Sequence, residues 1–234
     1  MISAATVQYN TPELVLRAYQ SVRDLHPDML ITIIDGSDNA PVDSDRNTIV
    51  RKMGYNVGHG PGMHQALLDC ETDYLLLFDS DIEMQKPCVD EMLSQMKDDT
   101  FAIGEIQMVD KSSYGVEFSE EPYEIPLVHP YFHIVQVKEY FKYMSYAQSG
   151  GPVGLSTLDI FSRGLSERVL IDFDVRDSVH HRWGGTRENT PLDMYKCSFS
   201  FTEQINKYLL NNWDFFGAKL PQKQATILEK KYGA

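Results

Sequence analysis

Two carboxylates one residue apart, Asp79 and Asp81, follow a run of five apolar residues from Tyr74 to Phe78. An apolar run of this length is typical of a buried strand. Two negative charges so close disfavour each other's ionised form, and a divalent cation with oxygen ligands relieves that repulsion. The pattern predicts a strand that ends in a metal and phosphate site. A strand followed by a solvated acidic turn fits the same residues.

Strands and helices must alternate to carry this pair. The predicted strands are 2–8, 29–35, one within 49–56, 74–78 and 101–106. The predicted helices begin at Thr11-Pro12, after the glycine-rich turn 56–62, and at Pro87. Proline is favoured at the first position of a helix, because an amide hydrogen at that position would have no partner within the helix. Such alternation predicts an α/β fold, in which helices flank a mostly parallel central sheet.

Polar groups stand at the ends of four predicted strands. They are Tyr9-Asn10, Asp35, Asn56 to Gly58, and Asp79-Ser80-Asp81. The carboxyl ends of parallel strands share one edge of the sheet, and open α/β sheets bind ligands at that edge. We therefore expect a cleft that binds a nucleotide, with Mg²⁺ or Mn²⁺ bridging its diphosphate to the protein.

The second half of the chain is less regular. We predict strands at 131–137 and 168–175, helices at 156–165 and 202–213, and a loop at 148–154. Tyr131, Phe132 and His133 either line an acceptor pocket or pack in the core, and core packing is the better interpretation for two of the three.

Composition narrows the class of protein. The chain has 234 residues, a formal net charge of −13 and three cysteines in no metal-binding spacing. An acidic surface repels phosphate backbones, so nucleic acid is a poor candidate partner. The sequence shows neither a signal peptide nor an apolar run long enough for a transmembrane segment, and sparse cysteines suit a reducing compartment. We expect a cytoplasmic protein.

Four segments together resemble one known family. These are QYNTPELVLRAYQSV, ITIIDGSDN, NVGHGPGMHQAL and YLLLFDSDIEM, in this order within residues 1–100. They resemble the first strand and helix, the second strand, a glycine-rich helix start and the DXD motif of the family 2 glycosyltransferases. That family has the GT-A fold, a Rossmann-like single domain. The resemblance implies that residues 1–108 bind the nucleotide-sugar, and that residues 109–234 supply the acceptor side, the catalytic side and a C-terminal helical segment.

The resemblance also implies roles for single residues. It places Asp79, Asp81 and His181 on the metal, with His180 as the alternative histidine, and Asp159 as the catalytic base. Leu158 stands where the family usually has Glu. The residues implied in donor binding are Gln8, Tyr9, Asn10, Asp35, Asn56, Gly58, His64, Asp79 and Ser80.

The implied reaction is metal-dependent, inverting transfer of a hexosyl group from a nucleotide-diphosphate donor to a hydroxyl. Family habit favours a UDP-sugar, and the acceptor class stays open among glycans, lipid-linked sugars and other hydroxyl compounds. Two alternatives remain. One is a GT-A module that binds nucleotide without catalysis, which the Leu158 replacement permits. The other is an Asp-x-Asp phosphohydrolase, although Glu83 stands where such enzymes carry Thr or Val.

Overall fold

The structure is a computed structural model that describes residues 1–37, 39–109, 125–146 and 152–182. The strands are β1 Ile2–Gln8, β2 Ile31–Asp35, β3 Thr48–Lys52, β4 Tyr74–Asp79, β5 Ile82–Met84, β6 Ala102–Val109, β7 Ile125–Gln136, β8 Leu170–Asp172 and β9 Val179–His181. The helices are α1 Pro12–Leu25, α2 His59–Leu68, α3 Val89–Gln95, α4 Val137–Tyr140, α5 Gly154–Ser162 and α6 Ser166–Val169. The predicted helix at 202–213 and most of the predicted loop at 148–154 lie outside the described residues.

Seven strands form the central sheet, in the order β3-β2-β1-β4-β7-β6-β8. Strands β3, β2, β1 and β4 run parallel to one another. The register places Gln8 beside Asp35, and Val7 beside Asp79. The predicted mostly parallel sheet is therefore confirmed, and the ends of β1, β2 and β4 meet at one edge as expected.

Strand β4 is held between two cores. Leu76 and Phe78 pack with α1 and α3 on one face of the sheet, while Leu75 and Leu77 pack with α2 and α5 on the other. Alternate residues of a strand point to opposite faces, so a strand covered on both faces is apolar throughout. Burying each such side chain contributes about 1.5–3 kcal/mol. This packing fixes the point at which Asp79 leaves the sheet.

Antiparallel pairing changes the second half of the sheet. Strand β7 runs antiparallel to both β4 and β6, and β8 then pairs parallel with β6. Strand β7 begins six residues before the strand that the sequence predicts at 131–137, because β6 pairs with residues 125–128 despite two prolines nearby. Two boundaries also differ from expectation: β3 ends at Lys52 rather than near Asn56, and β8 is three residues long rather than eight.

The ladder between β6 and β7 contains a bulge. Gly104 pairs with His133, but Ile106 pairs with Val128, so Glu105 faces four residues of β7. A Cβ atom at Gly104 would lie 2.8 Å from the Cβ of His133, so this close approach of the two strands requires glycine. The Ile106 amide instead donates to Asp172 Oδ1 at 2.9 Å. No helix in the described part of the chain is long and apolar enough to cross a membrane.

Candidate active site

Asp79 is the last residue of β4, and Asp81 lies in the turn that leads into β5. Strand β5 pairs antiparallel with β9, and this pairing brings His181 opposite Ile82. His181 Nε2 lies 3.1 Å from Asp81 Oδ1 and 3.6 Å from Asp79 Oδ2. The backbone amide of Arg182 also donates to the Asp81 carbonyl oxygen at 3.0 Å. Residues about a hundred positions apart are thus joined by backbone and side-chain contacts.

The alternation of strand β9 separates the two histidines. His181 points to the carboxylates with 8% of its side chain exposed, whereas His180, beside it on the strand, is exposed to solvent. Successive side chains of a strand point to opposite sides, which explains the difference. The geometry thus favours His181 over His180 as a metal ligand.

Asp79, Asp81 and His181 each offer one ligand atom within 4.8 Å of the others. Two carboxylate oxygens and one imidazole nitrogen form a donor set that suits Mn²⁺. Mg²⁺ prefers all-oxygen surroundings and usually retains several waters. The residues therefore fit a divalent cation, and the imidazole favours Mn²⁺ over Mg²⁺.

A second histidine contacts the pair, and it was not identified from the sequence. His59, the first residue of α2, places Nε2 2.9 Å from Asp79 Oδ1. Burial alone would lower the pKa of His59, but attraction and hydrogen bonding by Asp79 outweigh it and raise this pKa. Burial would raise the pKa of Asp79, but His59 and then His181 bring it below its usual value. The only signal in the sequence was a histidine inside the glycine-rich helix start.

An aromatic layer lies behind His181. The Tyr131 ring stacks on the His181 ring with centroids 4.8 Å apart and planes 4° from parallel. The Tyr131 hydroxyl donates to Glu105 Oε2 at 2.7 Å. Phe132 and His133 are fully buried, as core residues. Of the three neighbouring residues, Tyr131 is the one whose ring stacks on His181.

At the end of β1, Gln8 and Asp35 form an enclosed network. The Asp35 side chain is fully buried, and its two oxygens accept hydrogen bonds from Gln8 Nε2, from the amide and hydroxyl of Ser37, and from the Ala40 amide. These hydrogen bonds therefore hold the loop that follows β2 against the buried Asp35 side chain. The predicted role of Asp35 in donor binding stays a prediction.

Tyr9 and Asn10 lie just beyond this network, half-buried. The Asn10 amide donates to Ser37 Oγ at 3.1 Å, and Asn10 has a φ of 55°. Asparagine tolerates this left-handed conformation better than most residues. The two residues form a half-buried rim at the strand-end edge.

The remaining donor-side residues lie around α2 and β4. Asn56 Oδ1 accepts from the Gly58 amide at 3.0 Å, which organises the start of α2. His64 Nδ1 lies 2.8 Å from the Tyr140 hydroxyl, and burial lowers the pKa of His64. Ser80 is buried beside Thr11. Each of these residues therefore makes a contact within the protein. Their predicted roles in donor binding stay predictions.

Asp159 lies on α5, which begins at Gly154 rather than at the predicted Ser156. Arg163 Nε and Nη2 donate to the two Asp159 oxygens at 2.8 Å each. The Met144 amide donates to Asp159 Oδ2 at 3.0 Å. The carboxylate is therefore engaged on both oxygens, and the Asp159 side chain is 9% exposed. Its role as a base stays a prediction.

Comparison with known proteins gives two results. The family model described as Glycosyl transferase family 2 matches residues 3–170. No curated protein sequence matches the chain significantly.

Several solved structures share the fold. Glucosyl-3-phosphoglycerate synthase from Mycobacterium tuberculosis, in complex with Mn²⁺, UDP and glucosyl-3-phosphoglycerate, has a TM-score of 0.55 and 14% identity, and the match covers 95% of this chain and 81% of that one. The mannosyltransferase PcManGT from Pyrobaculum calidifontis, in complex with GDP-Man and Mn²⁺, has a TM-score of 0.55 and 8% identity, over 74% of this chain. The match spans 54% of the mannosyltransferase's own length. At these identities the likeness concerns the fold.

Proposed function

The chain belongs to glycosyl transferase family 2, and from that premise we propose that it moves a hexosyl group from a nucleotide-diphosphate donor to an acceptor hydroxyl with inversion. The observation that carries the proposal is the convergence of Asp79, Asp81 and His181 at the sheet edge where α/β folds bind ligands. We assign donor binding to residues 1–108 and the acceptor side to residues 109–234.

In this proposal Asp79, Asp81 and His181 hold a divalent cation, Mn²⁺ in preference to Mg²⁺. When bound, such an ion supplies Lewis-acid stabilisation of the negative charge that develops on a leaving diphosphate. The two half-buried carboxylates set its place, and His59 contacts Asp79 Oδ1, whereas His181 lies nearer to Oδ2. In this proposal Asp79 Oδ2 is the oxygen that binds the cation.

An acceptor hydroxyl is a weak nucleophile at neutral pH, so the reaction needs a group that takes its proton. We propose Asp159 for this role because of its place in the family pattern. The hydroxyl oxygen then bonds to the anomeric carbon on the face opposite the diphosphate, the bond to the diphosphate breaks, and the configuration inverts. In this proposal the acceptor hydroxyl shares Asp159 with Arg163 or displaces it, because Arg163 donates to both Asp159 oxygens.

The donor nucleotide is proposed as UDP, and the acceptor as a glycan, a lipid-linked sugar or another hydroxyl compound. UDP and GDP-Man are both bound by proteins of the same fold. A thermal-shift screen of UDP, GDP, dTDP and their sugars, with Mn²⁺ or with EDTA, tests the assignment. A ligand that binds the native state raises the melting temperature by mass action.

We expect one nucleoside diphosphate to stabilise the protein with Mn²⁺ and to lose most of this effect in EDTA or in Asp81→Asn. Calorimetry supplies the affinities. Equal affinity with and without the metal would refute the metal assignment, and no hit with any nucleotide would refute donor binding.

A matched pair of variants tests the base. Asp159→Asn keeps the shape but removes the proton acceptor, so we expect unchanged donor binding and a loss of about 10²–10⁴-fold in kcat. Arg163→Gln breaks the same ion pair but keeps the carboxylate, so it should lose far less activity. If the two variants lose activity equally, the ion pair matters for structure and another group is the base.

The engaged carboxylate of Asp159 also favours a second candidate, a GT-A module that binds a nucleotide-sugar without transferring it. Donor binding without turnover, across a panel of hydroxyl acceptors and in the presence of Mn²⁺, would support that candidate. Release of the nucleoside diphosphate with formation of a glycosylated product would exclude it.

A further inference from the structure

The bulge between β6 and β7 lies next to the candidate metal site. Opposite Glu105, strand β7 contains four residues, 129–132, that include Pro130. Proline has no amide hydrogen to give to a ladder, and bulges are where sheets accommodate it. The Pro130 carbonyl oxygen accepts from His133 Nδ1 at 3.1 Å. The bulge is therefore tied to the buried His133 by a hydrogen bond, and bulges commonly re-aim side chains beside active sites.

Tyr131 is the side chain that the bulge directs to the site. Tyr131 is buried, and its ring lies parallel to the His181 ring. The hydroxyl donates to Glu105 Oε2 at 2.7 Å, so the ring is anchored at its far end. His129 stands edge-on to both rings, with centroids 4.7 Å from Tyr131 and 6.2 Å from His181. His181 is thus covered on one face by a ring that cannot easily rotate.

We propose that Tyr131, anchored by Glu105, is a positioning residue that fixes the His181 ring so that Nε2 faces Asp79 and Asp81. The inference rests on the proposed function, since it concerns the same metal site. Tyr131 acts through His181 and does not itself contact the cation. A histidine ligand held in place loses less rotational freedom on binding metal, and groups that orient metal ligands typically affect affinity about 10–100-fold.

The first test measures binding of Mn²⁺ alone, by electron paramagnetic resonance of the free ion. Tyr131→Leu removes the stacked ring, and we expect it to weaken Mn²⁺ about tenfold in the wild-type background. In the His181→Ala background the same change should have no effect, because there is no imidazole to position. Phe132→Leu is the matched control, since it removes a neighbouring buried ring from the core and should leave Mn²⁺ affinity unchanged.

The anchor has its own variant. Tyr131→Phe keeps the ring but loses the hydrogen bond to Glu105, so it should weaken Mn²⁺ less than Tyr131→Leu does. Equal weakening by Tyr131→Leu in both backgrounds, or none in either, would overturn the inference. If the wild type binds Mn²⁺ but Tyr131→Leu is unchanged, the proposed function survives. If the wild type binds no Mn²⁺, the metal site and this inference both fail.

A spectroscopic signature keeps the inference testable if Tyr131→Leu does not fold. In the metal-free protein, the ring current of Tyr131 should shift the His181 ring protons upfield, and Tyr131→Phe should retain the shift. His181→Ala assigns these resonances by removing them. Unshifted His181 protons in the folded wild type would show that the rings are not stacked and would refute the positioning role.

Discussion

His133 should make the stability of this protein fall in mild acid. The side chain is fully buried below the bulge. Nδ1 lies 3.1 Å from the Pro130 carbonyl oxygen, and Nε2 lies 3.1 Å from the Tyr146 hydroxyl. A carbonyl only accepts, so Nδ1 carries the hydrogen and the Tyr146 hydroxyl donates to Nε2. This arrangement gives both nitrogens of the neutral imidazole a partner, and a second ring proton would require the Tyr146 hydroxyl to reverse its hydrogen bond.

Burial lowers the pKa of His133 from 6.5 to about 4, although the hydrogen bond to Pro130 favours the charged form. The unfolded chain therefore takes up a proton between these two values, while the folded chain does not. The stabilisation is complete above the unfolded pKa and is lost as the pH falls toward the folded one. Between about pH 7.5 and about pH 5 the loss amounts to roughly 2 kcal/mol.

Urea unfolding at these two pH values measures the effect. His133→Gln cannot titrate, so the variant should lose roughly 2 kcal/mol less than the wild type on acidification, even if it is less stable at both pH values. All other titrating groups are shared and cancel in the comparison. Parallel losses in the two proteins would refute the reasoning, because they would mean that His133 accepts a proton equally well in the folded state.

Further predictions concern the metal ligand and two glycines. His181→Ala should weaken Mn²⁺ at least about tenfold, while His180→Ala, on the opposite side of β9, should change it less than about twofold by calorimetry; the reverse ranking would make His180 the ligand. Gly104→Ala should destabilise the fold by about 1–3 kcal/mol in urea unfolding, because its Cβ would lie 2.8 Å from that of His133. A Cβ atom at Gly164 would meet no atom within 4 Å, but Gly164 has a φ of +67°. Gly164→Ala should therefore lower the free energy of unfolding by about 1–2 kcal/mol through the left-handed backbone alone. No change in urea unfolding would mean that the turn relaxes.

The parts of the fold that short-range patterns encode were predictable. The apolar run that ends in Asp79, and the Thr11-Pro12 helix start, each express a local preference that the structure satisfies. Parallel strands then force the strand ends to one edge without further information. The family, the fold and the place of the carboxylate pair were therefore accessible from the sequence.

Other features depend on contacts that no local pattern contains. Strands β5 and β9 have three residues each and exist because they pair with each other across the fold. The contact of His59 with Asp79 depends on how the start of α2 meets the end of β4. The enclosure of Asp35 depends on the loop that follows it, and the ion pair of Asp159 depends on a helical spacing that sequence alone leaves ambiguous between core and solvent. In each case packing decided the outcome.

The pairing of β5 with β9 has a consequence for the order in which the molecule forms. Asp81 and His181 are 100 residues apart, so the two sides of the site meet only after a long loop has closed. Loop closure of this length carries an entropic cost that must be met before the contacts form, so we infer that the site assembles late, after the parallel half of the sheet. A bound cation would then stabilise the contact between the half of the fold that forms early and the half that forms late. Slow amide hydrogen exchange in β9 would accordingly depend on the metal, while exchange in β1 and β4 would not.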